Sequence, residues 1–337
     1  MRSLLADIRR HDVESAIRVS LAVGLPLLAL YAIGRLDLAV YAAFGGLAML
    51  YGHDEPAKRR VESQIVAGTG LIVIMAAAMT YSAAQGPVWL LGVLLAVTVL
   101  GASTLGAAMG WVPRGEMFFV LVLLIIAGIP TGWDRLPIGI AVGAGGAAFS
   151  VLLARLIGID ASGIGPGSEG WRRRVSLGYV RLDHRQHLVL IVAATFGVLT
   201  AWSIALLLGI GHPFWAAVTV AALMPALASA DVWSRVLHLM MGTLGGVAVA
   251  TGLFSFEPGH LALIAIIVVC QGAAEIAVTR SYGLALLFFS PLAIGMSNLG
   301  RGAPWQPLLV DRLLEAALGT AVAFLTILVG RRVLRMA

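Results

Sequence analysis

Charge is what this sequence has least of: Asp, Glu, Lys and Arg together supply 12% of the residues, about half of what a soluble domain carries. Lysine is almost missing, with Lys58 alone against 22 arginines. Hydrophobic residues reach 60% and mean hydropathy is +0.95, which excludes a water-soluble enzyme. The single cysteine, Cys270, allows no intrachain disulfide and reads as a small buried hydrophobe. Catalytic signatures are missing too. No Gly-x-x-x-x-Gly-Lys-[Ser/Thr] loop is present, so ATP is not the expected energy source. None of the seven histidines forms His-Glu-x-x-His, and His184 and His187, flanked by Asp183 and Arg185, read as a polar interfacial face rather than a metal site. No clustered acid/base or metal constellation points to an enzyme, and no cofactor is expected. The longest polar stretch, 159–185, is too short to enclose a core of its own. Net charge of +6 is of the sign that nucleic acid attracts, but the basic residues are scattered between apolar segments, so the expected partner is the lipid bilayer and not nucleic acid.

What is present is a train of apolar runs, with 40 Gly and 13 Pro placed inside them as membrane helices allow. A spanning helix needs roughly 20 apolar residues. Windows between polar or Gly/Pro punctuation fall near 15–33, 38–51, 62–83, 87–109, 115–131 and 136–157, then 186–209, 213–228, 236–254, 260–279, 282–298 and 308–330. The fold class expected is therefore all-α, a polytopic membrane protein of about 12 transmembrane helices. The N-terminus is basic and runs into the first apolar window without a small-residue cleavage site, as a retained first span does. With loops assigned alternately, Arg35, Arg135, Arg301 and Arg312 fall on one side and the remaining nineteen of 23 basic residues on the other. Such a bias marks the cytoplasmic face and places both termini there.

The two sets of six look like copies. Tyr41-Ala-Ala-Phe44 aligns with Trp215-Ala-Ala-Val218, and Gly68-Thr69 with Gly242-Thr243, at an offset of 174; Asp134-Arg135-Leu136 aligns with Asp311-Arg312-Leu313 at 177. An even number of spans per copy gives both the same orientation, a parallel repeat. The expected division is a first repeat at 1–157, a cytoplasmic linker at 158–185 and a second repeat at 186–337. The second and eighth windows offer only about 14 to 16 apolar positions, roughly 21–24 Å of helix. Paired short segments at matching places point to a transport site, where a broken helix presents unpaired amides to a ligand; short helices shielded by neighbours would look the same.

Ionisable residues inside spans are the sharper signal, because a mid-bilayer charge costs several kcal/mol and persists only with a partner or water. Gln271 and Glu275 share a helix face in the tenth span, and Asp311 and Glu315 share one in the twelfth. Glu315 has no acidic counterpart in the first half, where Ile138 aligns. Such acids suit proton coupling, and equally suit snorkelling or pairing with Arg280 and Arg312. Arg59, Arg60, Arg114, Arg235 and Arg280 sit at cytoplasmic entrances, where they either gather an anion or enforce topology. Thr69, Thr219 and Thr243 line a polar path or bond back to their own helices. Trp215 contacts an aromatic ligand or anchors a helix end.

The segment Phe214-Trp-Ala-Ala-Val-Thr-Val-Ala-Ala-Leu-Met-Pro225, followed by Arg235 and Gly242-Thr-Leu-Gly-Gly246, resembles the fusaric acid resistance protein-like family. Val40-Tyr-Ala-Ala-Phe-Gly-Gly-Leu-Ala-Met-Leu-Tyr-Gly52, with Lys58-Arg59-Arg60, is similar in the same way. The resemblance implies a bacterial inner-membrane efflux protein for aromatic carboxylic acids, with Trp215, Thr219, Pro225, Arg235, Gly242 and Thr243 matching its pattern. The sequence departs from larger relatives in having only a linker between halves. The expected function is a proton-coupled exporter, an antiporter of amphipathic organic anions and possible homodimer. Its substrate site combines Arg235, Trp215, Thr219, Thr243, Arg60 and Thr69, with Glu315, Glu275 and Asp311 carrying protons. A passive anion channel and a non-transporting membrane scaffold stand as alternatives.

Overall fold

The computed structural model describes residues 10–52, 55–111, 116–156, 184–228, 232–278, 280–299 and 304–334. Among these are twelve α-helices and no strand. In chain order they are α1 (Arg10–Ala32), α2 (Ala39–Gly46), α3 (Ala57–Ala83), α4 (Val88–Met109), α5 (Glu116–Ala127) and α6 (Leu136–Leu156). Then come α7 (His184–Leu207), α8 (Phe214–Leu223), α9 (Val232–Phe254), α10 (His260–Val278), α11 (Tyr282–Asn298) and α12 (Trp305–Leu334). Eight of them are long and apolar enough to cross a membrane by length and composition, while α2, α5, α8 and α11 are shorter. The protein is an all-helical, polytopic membrane protein. Its helices are apolar on faces the fold leaves uncovered: in α4 only 28% of the apolar window is buried, which suits lipid rather than water as the surrounding solvent. The linker expected at 158–185 lies outside the described residues apart from the start of α7.

Helix ends follow local chemistry. Gly34 closes α1 at φ +68, donating to Tyr31, while Arg35 donates back to the Leu30 carbonyl at 2.8 Å. Gly209 closes α7 in the same way at φ +67, with Ile210 donating to Ala205 at 3.1 Å. Only glycine enters this left-handed conformation without strain. α5 stops at Ala127, earlier than its apolar run, because Pro130 disfavours helix at the residue before it. α3 and α9 begin four to five residues before their apolar windows, drawing Arg60 and Arg235 into their first turns. Two of the short helices, α2 and α8, continue into 3-10 turns, α2 into Leu47–Leu50 and α8 into Met224–Ala228.

Packing divides the chain into two compact units, and neither is one half of the sequence. The first comprises 1–69, 139–159 and 237–313; the second comprises 70–138, 160–236 and 314–337. In the first unit α10 packs on α1 and α11, and α1 packs on α2. Its apolar core joins Val23 and Leu27 of α1, Ala39 and Ala43 of α2, Phe254 of α9, Ile264 and Ile267 of α10, and Ile294 of α11. In the second unit α4 packs on α7 and α5, and α8 packs on α7 and α5.

Each unit contains a very close crossing at a short helix that runs into a 3-10 turn. In the first, a Cβ on Gly146 of α6 would collide with the Ala42 carbonyl of α2. In the second, a Cβ on Gly319 of α12 would lie 2.5 Å from the Ala216 carbonyl and 2.7 Å from Cβ of Thr219, both on α8. Small residues at such points let helix backbones touch.

Candidate functional site

The second unit assembles three of the expected site residues at the N-terminus of α8. The first turn of any helix leaves N–H groups without intrahelical acceptors. Here Pro213, at φ −58, supplies no N–H of its own and sets the chain for helix entry. The Glu315 side chain, fully buried, accepts from two of the first-turn donors and from one residue before the helix. Its Oε1 accepts from the backbone N–H of His212 at 3.0 Å. Its Oε2 accepts from Trp215 at 2.8 Å and from Ala216 at 3.2 Å. The carboxylate is thus held at the positive end of a short helix, as an anion is. One turn further along α12, Gly319 gives the clearance that brings the two helices together, and Thr219, buried, packs on it.

Aromatic rings surround this end of α8. Phe214 meets His212 edge-on, with ring centroids 5.8 Å apart and planes at 89°, and lies 4.8 Å from the Trp215 ring at 47°. Trp215 is buried. Arg235 stands half-buried in the first turn of α9, two residues after Trp233, whose ring packs on Phe324 of α12 at 4.7 Å.

The remaining expected site residues belong to the first unit. Glu275, buried, accepts a hydrogen bond from the Ser15 hydroxyl of α1 at 2.9 Å. Nearby, Arg280 pairs with Asp12 at 3.2 Å, and the Ser20 hydroxyl donates to the Val268 carbonyl at 3.2 Å. These contacts join α1 to α10 along its length. Arg60, only 2% exposed, donates to the Glu55 carbonyl at 3.1 Å. Thr243 is buried, with no hydrogen-bond partner for its hydroxyl among the described residues. Asp311 is half-buried on α12. Thr69 is exposed and its hydroxyl donates to Ile65 of its own helix at 2.8 Å, the second of the two arrangements expected for it. The structure therefore gathers Trp215, Thr219 and Glu315, and holds Arg60, Thr69, Thr243, Glu275 and Asp311 in the other unit.

Sequence reasoning missed the donor role of the His212 and Ala216 backbone N–H groups, and it missed Arg18 and Gln64. Arg18 sits inside an apolar helix, buried to 2% exposure; an arginine in that setting is itself a signal. Among the described residues no group of three or more metal-ligating side chains exists.

The stretch that builds α8, α9, α10, α11 and most of α12 carries the similarity to known proteins. Residues 200–326 match the fusaric acid resistance protein-like family. The resemblance read from Phe214–Pro225 and Gly242–Gly246 holds over that region. The chain is also 28% identical over 148 residues to an uncharacterized membrane protein, YvaC, of Bacillus subtilis (strain 168), an alignment covering 43% of this chain and 24% of that protein. The alignment thus spans about a quarter of that relative's length. No solved structure matches.

Proposed function

We propose that this protein is a twelve-span inner-membrane exporter of aromatic or amphipathic organic anions, coupled to protons, with both termini in the cytoplasm and no enzymatic activity. One observation carries the reading: three backbone amides at the end of a short, interrupted helix hold a carboxylate inside a membrane protein, with Phe214, Trp215 and His212 around it. Discontinuous helices in transporters present such ends to anionic groups. Once Glu315 releases them, the same amides can donate to the carboxylate of an aromatic acid, and the rings beside them suit its apolar body. A proton on Glu315 replaces an acceptor lone pair with an O–H and weakens the cap, so proton occupancy and the attachment of α8 are linked. The similarity of residues 200–326 to a family described by resistance to fusaric acid fits outward movement of such an acid.

Two parallel six-helix repeats are part of this proposal. Three matched features support them: Gly34 and Gly209 closing α1 and α7, a short helix running into a 3-10 turn in α2 and α8, and the glycine crossings of α6 on α2 and α12 on α8. A second reading, a passive anion channel, is favoured by the completeness of the cap: with both oxygens satisfied, Glu315 serves as a fixed structural anion. A thermal-shift screen of purified protein against aromatic and aliphatic carboxylates tests the site. Aromatic acids are expected to stabilise the protein in a manner weakened by Trp215→Ala and Arg235→Ala; stabilisation indifferent to both substitutions removes the assignment.

A further inference from the structure

The amides at the start of α8 already hold a ligand, and the chain supplies it. Both Glu315 oxygens accept, one from His212 at 3.0 Å and the other from Trp215 and Ala216 at 2.8 and 3.2 Å. The side chain is fully buried, so nothing approaches these donors past it. One turn along, α12 lies so tightly on α8 that a Cβ on Gly319 would stand 2.5 Å from the Ala216 carbonyl and 2.7 Å from Cβ of Thr219. An anion that takes the three donors therefore takes them in exchange for Glu315, a tethered ligand of the same chemistry.

What the displaced side chain does sets the coupling. The crossing at Gly319 keeps the Glu315 backbone beside the end of α8, so the released carboxylate stays close to the incoming one while losing three donors. A buried carboxylate without donors is costly, and two carboxylates in one site do not both stay ionised. A proton on Glu315 removes both costs, because the site then keeps the charge of a single anion.

The other charged or titratable groups stand as follows. On α12 itself Asp311 and Arg312 lie one turn earlier. From the α8 side His212 meets the carboxylate through its backbone N–H. The two helices packed on α8 carry theirs in their first turns, Glu116 on α5 and the 184–187 stretch on α7; the last turn of α7, which leads to His212, is apolar. Helix α9 meets α12 at Trp233 and Phe324 and carries Arg235 in its first turn. Transfer of Glu315 to Arg312 is the competing outcome, and it takes up no proton.

Resting on the α8 anion site proposed above, we infer that substrate and proton load together: an organic carboxylate enters the three amides as Glu315 leaves them in its neutral form, one proton for each anion. Ile138 aligns with Glu315, so the two sequence copies supply this acid once. The loaded site gains no net charge, and the acid moves electroneutrally with its proton.

Titration calorimetry of benzoate into the full chain in phosphatidylcholine nanodiscs, near neutral pH in phosphate and in Tris, reads the protons taken up from the different ionisation heats of the buffers. Wild type is expected to take up about one proton per benzoate, with affinity falling about tenfold for each unit rise in pH. Glu315→Gln, which has no carboxylate to protonate, is expected to bind benzoate without uptake and without pH dependence. Should that variant fail to fold, the infrared difference spectrum of wild type decides: benzoate is expected to bring up the carbonyl band of a neutral, buried carboxylic acid, and its absence overturns the inference. Benzoate binding without proton uptake overturns the joint loading and leaves the anion site standing. Uptake that survives Glu315→Gln assigns the proton to another group and overturns it too. A wild type that binds no benzoate removes the α8 site itself, and the joint loading with it.

Discussion

The Glu315 carboxylate accepts the backbone N–H of Trp215 at 2.8 Å, across 100 residues of sequence. Together with the bonds to His212 and Ala216, this contact fixes where the last helix of the chain meets the end of α8. It puts a buried charge, three backbone donors and a group of aromatic rings in one place.

The first consequence concerns stability. Hydrogen bonds to a charged acceptor contribute about 1.5–3 kcal/mol each, and a buried donor left unmet costs about 1–3 kcal/mol. Glu315→Ala, which abandons all three amides, is expected to lower the unfolding temperature far more than Glu315→Gln, which keeps one carbonyl acceptor. Equal melting of the two variants in detergent would show that the cap contributes little.

Close backbone approach makes Gly319 intolerant of any side chain. Gly319→Ala places Cβ against a carbonyl rather than against a movable side-chain tip, and is expected to cost about 1–3 kcal/mol. Gly101, on an exposed face of α4 with nothing within 4 Å of a built Cβ, provides the contrast: Gly101→Ala is expected to be neutral or stabilising by about 0.5–1 kcal/mol. Thermal unfolding of the two variants in the same detergent checks the difference.

Along α1 and α10 the Ser15–Glu275 hydrogen bond is expected to matter in proportion to its burial. Ser15→Ala leaves a buried carboxylate short of a donor and should destabilise the protein by about 1–3 kcal/mol. A double-mutant cycle with Glu275→Gln isolates the pair; additive losses would show that the bond carries no coupling.

Topology is open to direct labelling, because Cys270 is buried and gives little background. In a Cys270→Ala chain, Ser3→Cys and Met336→Cys are both expected to react with a membrane-impermeant maleimide from the cytoplasmic side alone. Labelling of the two ends from opposite faces would break the parallel repeat.

Much of the architecture was legible in the sequence, since each of the twelve apolar windows contains a helix. Hydropathy finds the apolar stretch but misses the turns beyond it, which is why Arg60 and Arg235 read as loop residues yet lie on α3 and α9. Proline shortened α5 for a local reason that apolar periodicity does not encode. Trp215, Thr219 and Glu315 were each visible as unusual residues; their meeting was not, because a carboxylate that caps a helix 100 residues away leaves no spacing pattern. Arg18 was hidden differently. It falls among the basic residues that mark the cytoplasmic side, and its burial only emerges once α1 is packed.

Flux in proteoliposomes tests the central claim most directly. With a pH gradient imposed, wild-type protein is expected to move benzoate against its concentration gradient, and Glu315→Gln is expected to abolish that uphill movement while the protein remains folded. Uphill movement that survives Glu315→Gln, or a wild-type benzoate current that follows voltage and ignores the pH gradient, would contradict the account.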